Sequence, residues 1–152
     1  MKTVDTNEYI SVLKELTDSG KEVGVLIAGN SMSPFLRHQR DYICFKRLDR
    51  MPVKGDMVFY QRKNGQYIMH RIYKVKDEGF YIVGDAQMEI EGPVHREQIF
   101  AVVTRVKRKG KWIEPGDFWW EFFEHVWIRI VPMRRLIRRT YREIYKCIKN
   151  IL

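Results

Sequence analysis

The stretch AGNSMSPFL, residues 28–36, follows the apolar run Val25-Leu26-Ile27 and sets the organisation of the whole chain. Its Gly29-Asn30 pair allows an extended segment to turn sharply, because glycine accepts positive φ angles and asparagine tolerates them. Pro34 then fixes the exit of the turn. The stretch therefore predicts a strand that ends in a corner, with the hydroxyl of Ser31 projecting into an open groove.

Three further short motifs follow this serine turn. They are KGDMVF at residues 54–59, YIMHRI at 67–72 and YIVGD at 81–85. With the serine turn, their order and spacing resemble the signal peptidase I superfamily, which also contains the phage- and SOS-repressor autoproteases. The resemblance covers about residues 25–106. Bacterial signal peptidases and the repressors carry a lysine general base where this chain has His70, whereas the endoplasmic-reticulum and archaeal type carries histidine. The chain thus resembles the histidine branch.

The resemblance implies a serine endopeptidase that acts on a peptide or protein substrate by removing a leader, signal or propeptide. It implies Ser31 as the nucleophile, His70 as the general base and Asp85 as a candidate third member that orients the imidazole. The backbone N–H of Ser31 would donate to the oxyanion. Family members often add a hydroxyl from two residues before the nucleophile, where this chain has Gly29. The candidate second donor is therefore Asn30 or another backbone amide.

The same residue types also fit simpler roles, as a turn serine, a surface histidine and a turn aspartate. On chemistry alone Ser33 competes with Ser31 as the nucleophile, and the Ser-Met pair selects Ser31. An unperturbed imidazole titrates near neutral pH, so the dyad predicts a loss of kcat/KM below about pH 6 to 7. The sequence contains no metal-ligand spacing and no phosphate-binding loop, so neither a metal nor a cofactor is expected. Surface roles are expected for the other three histidines, His38, His95 and His125.

Hydrophobic periodicity predicts a mainly β fold, a signal-peptidase-like barrel or sheet. A short amphipathic helix over residues 5–19 precedes it, and Lys63-Asn64-Gly65 is a hairpin signal because Asn-Gly accommodates a tight turn. We expect a peptidase domain at residues 1–115 and a helical tail at 116–152. The predicted strands cover residues 23–28, 41–48, 57–62, 67–75, 80–83, 98–108 and 112–113.

The predicted tail is rich in Phe and Trp and ends in a basic amphipathic helix, residues 133–152. Apolar residues lie on one face of this helix, and Arg and Lys take the flanks and back. This pattern is typical of an interfacial helix on an anionic membrane surface. It also fits an apolar face that packs on the protein's own sheet or on a partner. A different class of function is a peptidase-like fold without activity that binds nucleic acid through its basic tail.

Composition sets outer bounds on these interpretations. The chain of 152 residues is 45% hydrophobic, enough for one domain with a core. Its formal net charge of +9 indicates a polyanionic partner, either nucleic acid or an acidic membrane surface. Cys44 and Cys147 form no disulfide or zinc pattern and are expected to be free thiols. No signal peptide and no spanning apolar stretch is recognised. We therefore expect a cytoplasmic location, including peripheral attachment to the inner face of the membrane.

Overall fold

The structure, a computed structural model, describes residues 6–151, with side chains from residue 10 onward. Eight strands form one antiparallel sheet between an N-terminal helix and a C-terminal helical segment. The elements in chain order are α1 (Thr6–Asp18), β1 (Val23–Leu26), β2 (Tyr42–Arg47), β3 (Met57–Gln61), β4 (Tyr67–Lys76), β5 (Gly79–Val83), β6 (Glu91–Val94), a 3₁₀ turn (Arg96–Gln98), β7 (Ile99–Arg108), β8 (Lys111–Ile113), α2 (Phe118–Glu121), a π turn (Phe122–Val126), a 3₁₀ segment (Trp127–Met133) and α3 (Arg134–Ile151).

The sheet confirms the mainly β prediction. Its strands pair in the order β1-β2-β7-β3-β4-β5-β6, and β8 pairs with β7. Because this path is open among the described strands, closure into the predicted barrel is not shown. Helix α1 confirms the predicted N-terminal helix from residue 6. Residues 1–5 and 152, which the sequence assigned to the ends of the domain and tail, lie outside the described residues.

The predicted hairpin is confirmed at the β3–β4 connection. Gly65 there adopts a φ of +87°, and the N–H of Arg62 donates to the carbonyl of Gln66 over 2.8 Å. This hairpin sets the β3–β4 register, which pairs Val58 with His70. Strand β6 was not predicted, because Gly92-Pro93 interrupts its short apolar pattern and proline is normally a strand breaker.

The core lies on both sides of the sheet. One cluster joins α1, the serine loop and the aromatic residues after β8, and a second fills the space between β3, β4, β5 and β7. The second cluster is centred on Val58, Tyr60 and Ile72, none of which is exposed. The serine loop and the C-terminal aromatic segment therefore share one hydrophobic core.

Packing crosses the predicted boundary at residue 116. Trp120, Phe123 and Trp127 belong to the same core cluster as the serine loop, while Ile128 and Val131 pack against β5. For residues 118–134, the alternative of packing on the protein's own fold is the one observed. Only residues 135–151 stand free of the core. Within residues 6–151, no helix combines enough length and apolar character to cross a bilayer.

Candidate active site

The loop between β1 and β2 carries Ser31 and is closed at its base by main-chain hydrogen bonds. The N–H of Ile27 donates to the carbonyl of Asp41 over 2.8 Å, and the N–H of Gln39 donates to the carbonyl of Ile27 over 2.9 Å. The fully buried Asp41 carboxylate organises this base, since it accepts hydrogen bonds from the backbone N–H groups of Arg37 and Lys109 and from the Arg40 guanidinium.

The turn before Ser31 is held by a histidine. Gly29 has a φ of +88°, the left-handed region that favours glycine, and its N–H donates to Nδ1 of His38 over 2.7 Å. His38 is exposed, as expected for a surface residue, and its ring also accepts this hydrogen bond. The next residue, Asn30, is exposed, and its carbonyl accepts the N–H of Ser33 over 3.1 Å. No contact within the described residues turns the Asn30 amide toward Ser31.

Apolar side chains after the serine anchor the loop. Met32, Phe35 and Leu36 are all buried in the main core cluster. The guanidinium of Arg108 donates to the carbonyls of Phe35 and Pro34 over 2.8 and 3.3 Å. These contacts fix the serine turn on a rigid base, which is what a preorganised nucleophile requires.

His70 reaches the same place from the middle of β4. Ser31 and His70 both line a cavity of about 370 Å³, whereas Ser33 is not part of its lining. His70 is only 5% exposed. Within residues 6–151 no side-chain hydrogen bond involves the Ser31 hydroxyl or the His70 ring. The two groups thus share a cavity without being bonded to each other, and a catalytic hydrogen bond commonly tightens only when substrate is bound.

Burial changes the acid–base character of the candidate base. Removal from water disfavours the imidazolium, and this lowers the pKa of His70 from 6.5 to about 4. The negative charge of Glu91 opposes this lowering of the pKa most strongly, Arg62 reinforces it, and Asp85 opposes it to a smaller extent. His70 is therefore neutral at neutral pH and able to accept a proton. The expected acid limb at pH 6 to 7, which assumed an unperturbed imidazole, moves to lower pH.

Asp85 is engaged with the neighbour of His70. Its carboxylate oxygens accept from Nε and Nη2 of Arg71 over 2.9 and 3.0 Å, and both side chains are buried. Nη1 of Arg71 donates to the carbonyl of Gly55 over 2.9 Å. The carboxylate therefore faces the Arg71 guanidinium, and no hydrogen bond to His70 is present among the described residues. The structure thus gives Asp85 the Arg71 guanidinium as its hydrogen-bond partner, whereas the sequence had suggested the His70 imidazole.

A second charged group beside His70 was missed at the sequence level. The carboxylate of Glu91 accepts a short hydrogen bond from the Tyr60 hydroxyl and lies 2.6 Å from Nε of Arg62. The rings of Tyr60 and His70 have centroids 6.4 Å apart. The register of β3 with β4 would have placed Tyr60 near His70, since they are diagonal neighbours. Glu91 lies on the unpredicted strand β6, so no sequence signal pointed to it.

His70 stands where two cavities meet, and we call the two together the groove. The first, which holds Ser31, is mainly apolar. The second, of about 470 Å³, has a lining of mixed character that includes Glu89 and Glu91 beside Met88 and Ile90. Both share Arg62, His70 and Gln87 as lining residues. The apolar lining of the first cavity includes Leu13, Val25, Ile27, Met32, Phe59, Tyr67 and Met69.

The turn at residues 84–87 packs against Ser31. The N–H of Ala86 donates to the carbonyl of Ser31 over 2.8 Å. Gly84 lies so close that a Cβ there would come within 2.6 Å of the same carbonyl oxygen. On its far side the turn is held by Trp127, whose Nε1 donates to the carbonyl of Asp85 over 2.9 Å. Its position therefore depends on residues far along the chain.

One group of side chains has the spacing of metal ligands. Atoms of Glu121, Glu124 and His125 lie within 4.8 Å of one another, and they form the only such group in residues 6–151. His125 is exposed, and its Nε2 lies 3.0 Å from a carboxylate oxygen of Glu121, so a direct contact within one helical turn accounts for the cluster. No chemistry is assigned to it.

Comparison of the chain with protein-family models, with curated proteins and with solved structures finds no match. The assignment of function therefore depends on the geometry of the groove and on the short motifs that resemble signal peptidase I.

Proposed function

We propose that the protein is a serine endopeptidase of the signal peptidase I type, with Ser31 as the nucleophile and His70 as the general base. The observation that carries this proposal is the cavity lined by both residues, which reach it from a loop and from a separate strand. Base-assisted nucleophilic attack requires a neutral imidazole within reach of the hydroxyl, and the shared cavity is the observation that supports this pairing.

In the proposed reaction the Ser31 hydroxyl attacks the scissile carbonyl as His70 takes its proton. The resulting imidazolium returns the proton to the leaving amine, and an acyl-enzyme remains on Ser31. Water then attacks the ester with His70 again as the base, which releases the acid product and restores the serine. No external oxidant, metal or cofactor enters this sequence of steps.

Stabilisation of the oxyanion is proposed for the backbone N–H of Ser31. The Ser31 carbonyl, which lies in the following peptide unit, accepts from Ala86 and so anchors the residue on that side of its Cα. Asn30 remains the candidate second donor. For Asp85 we propose a positioning role through Arg71, because its carboxylate is already occupied there.

The proposed substrate is a leader, signal or propeptide segment, and its apolar side chains would enter the apolar cavity beside Ser31. We further propose that the protein works in the cytoplasm as a peripheral protein at the inner face of the membrane. The basic C-terminal helix supports this location.

The direct test is reaction with a serine-directed acylating probe, followed by peptide mapping. Modification of Ser31 is expected in the wild type and in Ser33→Ala. Ser31→Ala should not be modified, and His70→Ala should be modified much more slowly. Cleavage of candidate leader peptides, measured by mass spectrometry, should rank the four proteins in the same order. Equal labelling or equal cleavage by all four proteins would contradict the proposed Ser31–His70 dyad. Tight, salt-dependent binding to duplex DNA without any acylation would instead favour the nucleic-acid-binding module.

A further inference from the structure

Helix α3 leaves its whole length beyond Arg134 in contact with solvent. Every residue from 135 to 151 is exposed, and the helix touches the remainder of the described structure chiefly at its first turn. In proteins most of the stability of a helix comes from packing of its apolar face, and α3 has no such packing within the described residues. The apolar face of the helix is therefore left uncovered by the described structure.

The exposed surface has two opposite faces. At 100° per residue the apolar side chains cover about half of the helix circumference, which is wider than the narrow seam of a two-helix coiled coil. Leu136, Ile144 and Ile148 are each more than half exposed. The full apolar face consists of Met133, Leu136, Ile137, Tyr141, Ile144, Tyr145, Ile148 and Ile151.

The other face is strongly basic. Within residues 135–151 six cations stand against a single acid, Glu143. Most of the cations have no ion-pair partner in the described structure; Lys146 lies 3.4 Å from Glu143. The cations are Arg135, Arg138, Arg139, Arg142, Lys146 and Lys149.

We infer that helix α3 docks in the plane of an anionic lipid surface, with its apolar face among the acyl chains and its cations toward the headgroups. A broad apolar face with Lys and Arg opposite is the pattern of an interfacial helix. A second copy that covered the apolar face would leave the six cations on the outer side without counter-charges, whereas an anionic surface covers the apolar face and neutralises the cations together. Nucleic acid would leave the apolar face uncovered. This inference deepens the membrane location proposed above and rests on it, but it does not require peptidase activity.

The base of the helix is fixed to the groove. The buried guanidinium of Arg134 donates to the carbonyls of Gly84 and Gln87, each over 2.9 Å, and to that of Trp127 over 3.0 Å. The first residue of the docked helix would therefore be hydrogen-bonded to the turn that contacts Ser31. At about 1.5 Å per residue, residues 135–151 extend about 25 Å. A docked protein would thus keep its groove within a few nanometres of the bilayer.

The test measures binding of the full chain to two kinds of vesicle, phosphatidylcholine alone and phosphatidylcholine with roughly one-third phosphatidylserine, by co-sedimentation. We expect binding to the anionic vesicles that weakens in high salt without vanishing, and poor binding to the neutral ones. The triple variant R135Q/R139Q/R142Q should bind about a hundredfold more weakly. A matched variant K46Q/K63Q/K74Q, which removes three exposed lysines outside α3, should lose much less.

A second variant tests the apolar face without touching the core. I144S/I148S changes two exposed residues, so its thermal unfolding should match the wild type while its salt-resistant binding is lost. Unchanged vesicle binding by I144S/I148S, or equal losses in the two charge variants, would overturn the inference. So would a wild-type dimer in sedimentation equilibrium that I144S/I148S dissociates, or duplex DNA binding tighter than vesicle binding. Ser31→Ala should bind vesicles normally, so failure of docking and failure of the peptidase proposal are separate results.

Discussion

Arg71 and Asp85 form a closed ion pair directly beside the candidate base. Nε and Nη2 of Arg71 lie 2.9 and 3.0 Å from the two carboxylate oxygens, and neither side chain is more than 1% exposed. The pair joins β4 to the turn at residues 84–87, and Arg71 extends it to Gly55. The sequence motif suggested a catalytic role for Asp85. In the structure its carboxylate links β4, which carries His70, to the turn that contacts Ser31.

Asp85→Asn should therefore act mainly on stability. Removing one partner leaves the Arg71 charge buried and uncompensated, which costs about 3 to 5 kcal/mol in the free energy of unfolding. Urea unfolding measures this loss. The double variant R71M/D85L should recover part of it, because an apolar pair has no charge to desolvate. If Asp85→Asn kept its stability and lost more than a thousandfold in acylation rate, the carboxylate would be acting on His70 after all.

The pH dependence of acylation should reflect the lowered pKa of His70. Because the imidazolium is disfavoured by burial, kcat/KM should hold from about pH 8 down to about pH 5 and fall only near pH 4. Glu91→Gln removes the main charge that favours the imidazolium, so it should move this limb further down. Rates are to be taken only where circular dichroism shows folded protein. A limb at pH 6 to 7 would mean that His70 is hydrated in the working protein.

The same pKa has a consequence for folding. His70 is neutral when folded down to about pH 4 but takes a proton near pH 6.5 when unfolded, so the unfolded state binds more protons between these values. Stability from this group is complete above pH 6.5 and falls by about 3 kcal/mol as the pH drops to 4. Urea unfolding over this range should show a steeper fall in the wild type than in His70→Phe, in addition to the slope that carboxylates with a lowered pKa, such as Asp41, give both proteins at the acid end. Parallel curves would contradict it.

His38→Ala should lower the acylation rate of Ser31 clearly while changing the free energy of unfolding only slightly. The variant removes the acceptor for the Gly29 N–H, so the turn before Ser31 gains freedom, while an exposed hydrogen bond contributes only about 1 kcal/mol. We expect roughly a tenfold drop in the acylation rate of Ser31, since misplacement of a reacting group is costly. His125→Ala, another exposed histidine outside the serine loop, is the control. Equal rates in both variants would leave His38 without a positioning role.

Truncation should divide the C-terminal segment in two. A chain that ends at Pro115 loses Trp120, Phe123, Trp127, Ile128 and Val131, all of them buried, and should not fold. Each such loss costs about 2 to 5 kcal/mol against a total stability of about 5 to 15 kcal/mol. A chain that ends at Arg138 should fold, react with the serine probe at the wild-type rate and lose vesicle binding. A folded, active product ending at Pro115 would contradict this division.

Much of the fold could be predicted from the sequence because it depends on local patterns. Alternation marks the strands, and Asn64-Gly65 marks the hairpin, so the register that pairs Val58 with His70 follows from nearby residues. Strand β6 could not be found in this way, because Gly92-Pro93 conceals it. With β6 hidden, the approach of Glu91 to His70 could not be anticipated either.

The remaining features depend on which surfaces meet in three dimensions. Asp85 could be recognised as a motif residue, but its partner was decided by the packing of two strands and a turn. Likewise, the apolar side chains of residues 118–134 and of α3 look alike in the sequence. An amphipathic pattern indicates that an apolar face exists and does not say what covers it. Only the structure distinguishes the buried Trp127 from the exposed Ile144.

Trp127 and Arg134 hydrogen-bond to the turn at residues 84–87, and this has a consequence for synthesis on the ribosome. Domains gain structure as the chain emerges from its N-terminal end. Ser31 and His70 leave the ribosome well before the two residues that fix the turn against Ser31. A nascent chain would therefore expose the serine without its finished surroundings, and the groove would become competent only after residue 134 had emerged. The surroundings of Ser31 would thus be completed among the last steps of folding on the ribosome.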